Sequence, residues 1–537
     1  MSTNNLILQD SWLLALQLLI AALAFLPWLR TSPVRLSAPL VGVSAAVVIV
    51  LCYLGHYLVL LGYDLSRDEQ LAVFDSRIYA QGRLAWPLAP AWQPFASALN
   101  LGFMLPVGRP VAWVSAYLPG NAMVRAAVGS VADPALTGPL LTGLCLPLIW
   151  VCARRLWPDD AAGSRAIAGA SVLLLATSGQ VIVTGMTAYA MPAHLFVNLL
   201  WLALFLQRRW PADIAALAVG FLGTGLHQPL FHPLFVAPRL LVLLAERSWR
   251  RLGLYAAGYG VIGLFWLSWP AHVASLVTGP ASLGAAGVDY VDRLVQAFDI
   301  GWYNIAKTGL NLLRYFCWQN PLLLPLMIAG AVAGRRDRRI LALLGGFLAT
   351  LVIMAVILPD QGHGFGYRYL HGVTGSAALV AACGLGKLQG ERGRWGPAFI
   401  RATILAAAVL LPVQALLAHA FYKPFAGANA RIESSGADYV IIGAEDGPYS
   451  RDLVLNRPDL SNRPIRLSYE MAGDFPALAR MICRPGVTVA LPTDRFYGEM
   501  EYRMRYFTKR PKTRPSDRMA GERQELQRAG CATTLLD

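Results

Sequence analysis

Apolar residues occur in long runs along this 537-residue chain, and short polar segments separate the runs. A helical run of about 18 or more apolar residues is long enough to cross the hydrocarbon core of a membrane. We identify about twelve runs, some of which need neighbouring residues to complete a crossing. They are residues 12–28, 40–61, 134–153, 167–186, 194–206, 214–226, 230–244, 254–269, 322–333, 341–358, 373–385 and 400–420. The pattern predicts an α-helical polytopic membrane protein with about twelve transmembrane helices.

Basic residues are concentrated in the loops that follow every second run. The six groups of basic residues are at positions 30 and 35; 154, 155 and 165; 208 and 209; 247, 250 and 251; 335, 336, 338 and 339; and 387, 392 and 394. By the positive-inside rule, this alternation supports the number of spans and assigns these loops to the cytoplasm. We therefore expect a multi-pass protein of the plasma (inner) membrane whose other loops face the periplasmic side. The same loops hold much of the basic charge behind the net charge of +15, so we predict no nucleic-acid partner.

The composition changes at about residue 421, where charged and proline-containing sequence replaces the apolar runs. Two short stretches, residues 439–442 and 487–491, have the pattern of β-strands. We predict a membrane domain, residues 1–420, followed by a small periplasmic α/β domain, residues 421–537. Cys483 and Cys531 both lie in the second part, where they either form a disulfide or remain free.

The first outer loop, residues 62–133, combines acidic residues with an apolar stretch. Ser66 is followed three residues later by Glu69, which is the pattern of a capping box. This pattern predicts a helix that carries Asp68 and Glu69 in its first turn. Apolar residues from position 71 onward then share one helix face, as expected for a helix lying in the membrane interface.

These acids have a chemical and a structural interpretation. A carboxylate at the outer surface suits a general base that acts on an acceptor hydroxyl while a lipid-linked donor presents its reactive carbon from the bilayer. Alternatively, Glu69 only completes the capping box and Asp68 only interacts favourably with the helix dipole. Asp75, one heptad after Asp68, is predicted to contact substrate or to pair with Arg77 or Arg83, and the ion pair is the commoner arrangement.

Three segments of the first outer loop resemble those of one family. They are Asp68-Glu69, the sequence from Phe74 to Leu84 with the following Pro87 and Pro90, and the sequence from Trp113 to Asn121. Together they resemble the first outer loop of the GT-C membrane glycosyltransferases, in particular the protein O-mannosyltransferase and lipid A aminoarabinose transferase group. The similarity in layout covers roughly the first 420 residues. The resemblance implies a polyprenyl-phosphate sugar as donor, Asp68 as the catalytic base and Glu69 as its companion.

The chain differs from this family in two respects. Ala116 stands before the segment Tyr117-Leu-Pro-Gly120, where relatives often have a lysine that suits a phosphate contact. The acidic loop follows the second apolar run in this chain, whereas in the family it usually follows the first. If a lipid phosphate binds, another cation must contact it.

Arg368 is the first candidate for that cation. It lies in the glycine-rich segment 361–371 and offers a bidentate fork to phosphate oxygens. Its alternative roles are an ion pair with Asp360 or a contact to a lipid headgroup. His227 and His363 are further candidates for the donor phosphate.

Further residues are predicted to contact substrate or were considered for a metal. The substrate candidates, besides Asp75, are Tyr117, Tyr367 and His371, although a hydrogen-bonded structural role is commoner for a histidine. His227, His232 and His363 have no metal-ligand spacing, so a divalent metal is unsupported and no cofactor is predicted. The loop after Trp269 adds Asp289, Asp292 and Asp299 among aromatic residues, a pattern more typical of a membrane interface than of a sugar site.

The sequence thus predicts an inverting glycosyltransferase of the membrane. Asp68 would act as base, a polyprenyl-phosphate sugar would be the donor, and a glycan, lipid or protein hydroxyl on the outer face would be the acceptor. Two other classes stay open. A transporter or flippase would need polar residues at mid-bilayer depth, and a non-catalytic assembly protein would use the C-terminal region to bind partners.

Overall fold

The computed structural model describes residues 10–30, 36–100, 102, 104–105, 110–158, 161–278, 302–358, 361–391, 393–505 and 514–537. Helices dominate its first four fifths. In chain order they are α1 (Ser11–Ala24), α2 (Ala38–Leu58), α3 (Arg67–Tyr79), α4 (Ala96–Leu99), α5 (Gly120–Gly129), α6 (Thr137–Leu156), α7 (Ala161–Ala176), α8 (Gly179–Gly185), α9 (Met191–Phe205), α10 (Trp210–Thr224), α11 (Phe231–Ala245), α12 (Trp249–Thr278), α13 (Trp302–Cys317), α14 (Leu323–Ala333), α15 (Arg338–Ile357), α16 (Thr374–Glu391), α17 (Trp395–Leu405) and α18 (Leu411–Glu433).

Each predicted apolar run coincides with helical structure. Within the described residues, six helices are long and apolar enough to cross a membrane, or seven if the bent pair α7 and α8 forms one span. Several of the remaining apolar helices, among them α1, α9, α10, α11 and α14, are shorter than 18 residues. The chain is therefore a multi-pass helical membrane protein, while the number of about twelve crossings stays a prediction.

Basic residues at the helix ends meet at one end of the bundle. Arg339, at the start of α15, donates to the carbonyl of Leu156 at the end of α6 over 2.8 Å. Arg251 near the start of α12 forms an ion pair of 2.6 Å with an aspartate near the start of α10. These contacts join loops that the charge pattern assigns to one side of the membrane.

The other connections meet at the opposite end. The first outer loop, which follows α2, contacts the α10–α11 connection through Tyr117 and His227. It also contacts the connection between α15 and α16 through Asp68 and Arg368. The predicted alternation of the two groups of loops therefore agrees with the contacts.

The first outer loop contains short elements as well as the predicted helix. Strands β1 (Trp86–Pro87) and β2 (Ala112–Trp113) pair antiparallel. A 3₁₀ helix, Pro90–Phe95, leads into α4. The backbone N–H of Val111 donates to the carbonyl of Val277 at the end of α12, over 2.9 Å, and this bond ties the loop to the bundle.

The C-terminal region contains a four-stranded β-sheet. Strands β3 (Tyr439–Ile442), β4 (Ile465–Ser468), β5 (Thr488–Pro492) and β6 (Ala532–Leu536) form one sheet in the order β4-β3-β5-β6, and all neighbours are parallel. Helices α19 (Phe475–Ile482), α20 (Gly498–Met504) and α21 (Pro515–Arg528) accompany the sheet.

Two details bear on the sequence predictions for this region. Both predicted strands are present, as β3 and β5. Cys483 and Cys531 form a disulfide that joins the end of α19 to the start of β6. Helix α18 runs across residue 420, so the division into two domains at that point stays a prediction.

Close packing of α14 against α16 generates a testable prediction. A Cβ atom on Gly330 would lie 2.0 Å from the carbonyl oxygen of Val380, whereas one on Gly253 in α12 would meet nothing within 4 Å. Small residues let membrane helices approach closely, and an added methyl at such a contact forces the helices apart. We expect Gly330→Ala to lower the midpoint of thermal unfolding in detergent, at a cost of about 1–3 kcal/mol.

Gly253→Ala is the matched control. Alanine is a better helix former than glycine, so this change is expected to leave the midpoint unchanged or slightly raised. Equal midpoints for both variants and the wild type would contradict the close packing of α14 on α16.

Candidate active site at the outer end of the bundle

The first turn of α3 has the predicted capping box. The side chain of Ser66 accepts from the backbone N–H of Glu69 over 3.4 Å, and Glu69 Oε2 accepts from the Ser66 N–H over 3.0 Å. These reciprocal bonds satisfy donors at the helix start and fix the turn. Asp68 is thereby held at the outer end of the bundle.

The Asp68 carboxylate has two partners from distant parts of the chain. One oxygen accepts from the Tyr117 hydroxyl, and the other forms an ion pair with Nη1 of Arg368. The Asp68 side chain is only 14% exposed. Burial alone would raise the pKa of Asp68, but Arg368, His227 and the Tyr117 hydroxyl together lower it to about 2.

Glu69 has a different environment one residue later. It is fully buried, and the hydroxyl of Tyr422 from α18 donates to its Oε2 over 3.3 Å. Burial, followed by the nearby Asp64 carboxylate, raises the pKa of Glu69. The two neighbouring carboxyl groups are thus shifted in opposite directions, and Asp68 is the one held ionised. The capping interpretation of Glu69 agrees with these contacts.

Arg368 starts a 3₁₀ turn, Arg368–Val373, that leads into α16. Its backbone N–H donates to Oε1 of Gln361 over 2.8 Å, and Gln361 Nε2 donates to the Gly366 carbonyl over 2.8 Å. Gly366 has a φ of 65°, which a residue with a Cβ rarely adopts. The glycine-rich segment therefore folds back so that Arg368 points at Asp68.

Aromatic rings surround the guanidinium of Arg368. Its central carbon lies 5.2 Å from the ring centre of Tyr189 and 5.4 Å from that of Tyr369. Such cation–π contacts offset part of the cost of burying the charge. Nε of Arg368 is buried and has no hydrogen-bond partner among the described residues. Asp360, the alternative ion-pair partner, lies outside the described residues.

Two predicted histidines lie beside this pair. The ring of His227 lies against that of Tyr117, with centroids 4.4 Å apart, and both its nitrogens are buried without a partner in the described part of the chain. His363 Nδ1 lies 3.3 Å from the Tyr189 hydroxyl, and its ring stacks on Phe421. Burial lowers the pKa of His227, and burial together with Arg368 lowers that of His363 to about 3, so both imidazoles are neutral near pH 7.

Tyr367 and His371 belong to the same turn region as Arg368 but lie deeper. Both are completely buried. The Tyr367 hydroxyl and both His371 ring nitrogens have no hydrogen-bond partner among the residues described here. Neither side chain has a described contact with Asp68, so substrate contact stays a prediction for both.

The ion pair predicted for Asp75 is wrong. Asp75 is 2% exposed, and its carboxylate accepts from the backbone N–H of Ser115 over 3.0 Å and from the Ser115 hydroxyl. Burial outweighs these bonds and raises the pKa of Asp75 to about 7. Asp75 accepts from Ser115 and, among the described residues, forms no ion pair with Arg77 or Arg83, because the loop carrying β2 packs directly on this face of α3.

Some residues of the site were missed by the sequence predictions. Tyr189 and Tyr369 enclose Arg368, and Tyr422 contacts Glu69. Tyr369 could have been predicted as a site residue, since it follows Arg368 in the glycine-rich segment. Tyr189 and Tyr422 lie at the ends of apolar runs, where tyrosine is common in any membrane protein.

An apolar groove of about 490 Å³ opens beside the α10–α11 connection, which carries His227. Its walls come from α10, α11 and α12, with Ile357 at the end of α15, and include Thr224, Pro229 and Leu230. Thr224 ends α10, and Pro229 and Leu230 lie in the α10–α11 connection that also carries His227. The lining is almost entirely apolar, and it includes residues that precede and follow His227 in the chain.

The described residues contain no group of three histidine, cysteine or acidic side chains arranged to hold a metal ion. The three aspartates predicted in the loop after Trp269, Asp289, Asp292 and Asp299, lie outside the described ranges. Arg314 in α13 forms a buried ion pair of 2.6 Å with Asp10 and therefore has a structural partner.

Comparisons with known proteins identify the fold. No family model matches the chain, and no curated protein matches it in sequence. The crystal structure of ArnT from Cupriavidus metallidurans bound to undecaprenyl phosphate has a TM-score of 0.54 and 14% identity, and the match covers 79% of this chain and 86% of that one.

Two further structures are less similar. The apo form of the same ArnT has a TM-score of 0.46 at 14% identity and covers 78% of this chain and 84% of that one. The Archaeoglobus fulgidus oligosaccharyltransferase with Zn and sulfate has a TM-score of 0.41 at 12% identity, with 86% of this chain and 61% of that one covered. At 14% identity, the match to ArnT bound to undecaprenyl phosphate shows a similarity in fold.

The buried Asp75 carboxyl generates a prediction about stability. Its pKa of about 7 in the folded protein lies above the usual 3.8. Between these values the folded state holds a proton that the unfolded state has lost, so this group's contribution to stability falls as the pH rises from about 4 to 7. We expect Asp75→Asn to flatten the decline of the unfolding midpoint over that window, an effect of at most about 1.4 kcal/mol per pH unit.

Asp459→Asn is the control for this measurement. Hydrogen bonds from Ser461 lower the pKa of the exposed Asp459 despite partial burial, so its contribution to stability is constant above about pH 4, and its removal should leave the slope from pH 4 to 7 unchanged. Midpoints of wild type and Asp75→Asn that run parallel from pH 4 to 7 would contradict a raised pKa for Asp75.

Proposed function

We propose that the protein is a polyprenyl-phosphate-dependent glycosyltransferase that acts on a glycan, lipid or protein hydroxyl at the outer face of the inner membrane. The observation that carries the proposal is the buried Asp68–Arg368 ion pair flanked by Tyr117 and His227, with an apolar groove beside the α10–α11 connection that carries His227. The similar fold of ArnT, whose structure holds undecaprenyl phosphate, supports a lipid-phosphate donor.

The donor would enter from the bilayer through the apolar groove. The groove between α10, α11 and α12 has the chemistry of a polyprenyl tail, and it reaches the α10–α11 connection that carries His227. A lipid lying there would bring its phosphate beside His227 and Arg368. Apolar contacts along the tail supply binding energy, while the polar end fixes the orientation.

The phosphate would find donors that the protein itself leaves unused. Nε of Arg368 is a donor, and the two ring nitrogens of the neutral His227 provide one donor and one acceptor; all three atoms are buried and have no partner among the described residues. Buried polar atoms are nearly always hydrogen-bonded, so unused donors in one place are typical of a ligand site. Arg368 thereby takes the role that relatives give to the lysine replaced by Ala116.

The reaction would be a single displacement at the anomeric carbon. The oxygen of the acceptor hydroxyl forms a bond to that carbon as the bond from carbon to the lipid phosphate breaks. The electron pair of the broken bond leaves with the phosphate oxygen, where Arg368 stabilises the charge. The hydroxyl proton passes to the Asp68 carboxylate, and the configuration of the sugar inverts.

Donor binding would also strengthen the base. With its pKa at about 2, Asp68 is a weak proton acceptor as long as Arg368 neutralises it. A phosphate that draws Arg368 towards itself weakens the ion pair, and burial then raises the pKa of Asp68. The carboxylate would therefore gain base strength only when the donor is in the site, which limits unproductive proton uptake.

Two observations support the outer orientation. The basic loops meet at the end of the bundle opposite to Asp68, as the positive-inside rule predicts for a cytoplasmic face. The Cys483–Cys531 disulfide is in the C-terminal region, which contacts the same end as Asp68, and disulfides persist in oxidising compartments.

The first test replaces the proposed base. Asp68→Asn keeps the shape of the side chain but cannot take a proton, so sugar transfer from a polyprenyl-phosphate sugar by the purified protein should fall by about 10²–10⁴-fold. Binding of undecaprenyl phosphate alone should be retained or strengthened, because Arg368 is released from its partner.

Glu445→Gln, an exposed acid of the C-terminal region, is the matched control and should keep full activity. Undiminished transfer by Asp68→Asn would exclude Asp68 as the base. Transport of the lipid in liposomes without a covalent product would instead favour a flippase.

The second test fills the groove. Gly263 lines the groove, and a Cβ there would meet no atom within 4 Å, so Gly263→Phe should occupy space meant for the lipid tail. We expect the KM for a long-chain polyprenyl donor to rise about tenfold or more, since one buried aromatic side chain displaces contacts worth about 1.5–3 kcal/mol. A short-chain donor should be affected less.

Gly260→Phe, one turn away on the same helix and outside the groove lining, is the control. Equal KM values for both variants and the wild type would show that the tail lies elsewhere.

A further inference from the structure

One short segment of the C-terminal region, residues 451–458, makes hydrogen bonds to the first outer loop. Three donors of the loop reach backbone carbonyls of this segment. Arg67 Nη1 donates to Val454 over 3.3 Å, Gln70 Nε2 to Asp452 over 2.9 Å, and Trp113 Nε1 to Pro458 over 3.0 Å. The loop is thus bonded to a part of the chain more than 340 residues away.

Arg67 is the centre of this contact. Its side chain is 5% exposed, and Nε lies 3.4 Å from the Asp452 carboxylate. Its remaining donors contact the Asn100 side chain over 2.8 Å and the Arg451 carbonyl as well as that of Val454. Asp452 is the only carboxylate within ion-pair distance of this guanidinium among the described residues, so neutralising it leaves a buried charge without a counter-charge.

The side chains in the first turn of α3 have partners in two different parts of the protein. Residues 67 and 70, which share a helix face, bond to the C-terminal segment. The two residues between them face other partners: Asp68 meets Arg368, and Glu69 meets Tyr422, both from the membrane bundle. The turn is therefore held from two sides, and its rotation about the helix axis is fixed by both.

We propose that the Arg67–Asp452 pair is a positioning element of the active site, by which the C-terminal region sets the rotation of the α3 first turn and hence the direction of the Asp68 carboxylate. This inference rests on the proposed function of Asp68. It makes the C-terminal region a working part of the transferase, in contrast to a separate module that binds partners.

A small rotation of this turn has a large kinetic effect. An arc of about 1 Å at the carboxylate can cost about 10²-fold in rate, because proton transfer requires the base within hydrogen-bond distance of the reacting hydroxyl. The groove and His227 are on other elements and would be unaffected. Loss of the pair should therefore lower kcat and leave the KM for the donor near its wild-type value.

The test uses the full-length protein in detergent with a polyprenyl-phosphate sugar. Asp452→Asn removes the charge with little change in shape, and Arg67→Lys keeps the charge but loses the planar fork. Glu445→Gln is the control, because Glu445 is an exposed acid seven residues earlier in the same region. Two measurements are made on each variant: kcat and KM for transfer, and amide hydrogen exchange of the peptide covering residues 64–79.

The proposal predicts a 10–100-fold fall in kcat for Asp452→Asn at nearly unchanged donor KM, with faster exchange at the start of α3. Arg67→Lys should have the same effects to a smaller degree and keeps the test usable if Asp452→Asn folds poorly. Glu445→Gln should match the wild type in both measurements.

Three outcomes would overturn the positioning role. They are a wild-type kcat in Asp452→Asn, unchanged exchange of residues 64–79, and a parallel loss of kcat, donor affinity and thermal midpoint, which would indicate a purely structural contact. If the wild type itself transfers no sugar, the proposed function fails, and exchange alone then decides whether the pair fixes this turn.

Discussion

A buried ion pair between residues 300 positions apart, Asp68 and Arg368, organises the outer end of this protein. Taking two charges out of water is costly, and their attraction repays the cost only when the remaining polar atoms also have partners. Here Tyr117 donates to the carboxylate, and the rings of Tyr189 and Tyr369 lie against the guanidinium. Asp68 and Tyr117 come from the first outer loop, Arg368 and Tyr369 from the α15–α16 connection, and Tyr189 from the α8–α9 connection. The pair therefore requires three connections to assemble.

The ion pair also explains why α3 is held so firmly. A charge pair of this kind is sensitive to distance, and the first turn of a helix is usually the part that frays. The capping box of Ser66 and Glu69 fixes the turn internally, and Tyr422 and the segment 451–458 hold it from outside. The membrane bundle and the C-terminal region therefore both contribute to the position of a single carboxylate.

Much of this arrangement could be predicted from local sequence. The helical runs, the capping box and strands β3 and β5 each depend on residues close together in the chain, and each is present. The candidate residues Asp68 and Arg368 were found because one carries a charge at the membrane surface and the other lies in a glycine-rich turn. Their contact was not predicted, since it joins two loops whose relative position is set by helix packing.

The partner of Asp75 illustrates the same limit. The sequence suggested an arginine partner for Asp75, but the loop that carries β2 brings the backbone N–H of Ser115 to its carboxylate, and a buried N–H requires such an acceptor. The role of Tyr422 was hidden for a related reason. It lies in the apolar helix α18, where only the three-dimensional packing against Glu69 distinguishes it from a membrane-interface tyrosine.

Buried polar atoms without hydrogen-bond partners in the described part of the Arg368 region lower the stability of the folded state. Nε of Arg368, both nitrogens of His227 and the hydroxyl of Tyr367 are buried without partners among the described residues, and each such atom destabilises the folded state by about 1–3 kcal/mol. Apolar side chains of similar size would remove that cost. Because the atoms of Arg368 and His227 lie beside Asp68, and an apolar groove opens beside the α10–α11 connection that carries His227, a polar ligand attached to an apolar chain is the simplest occupant that would satisfy them.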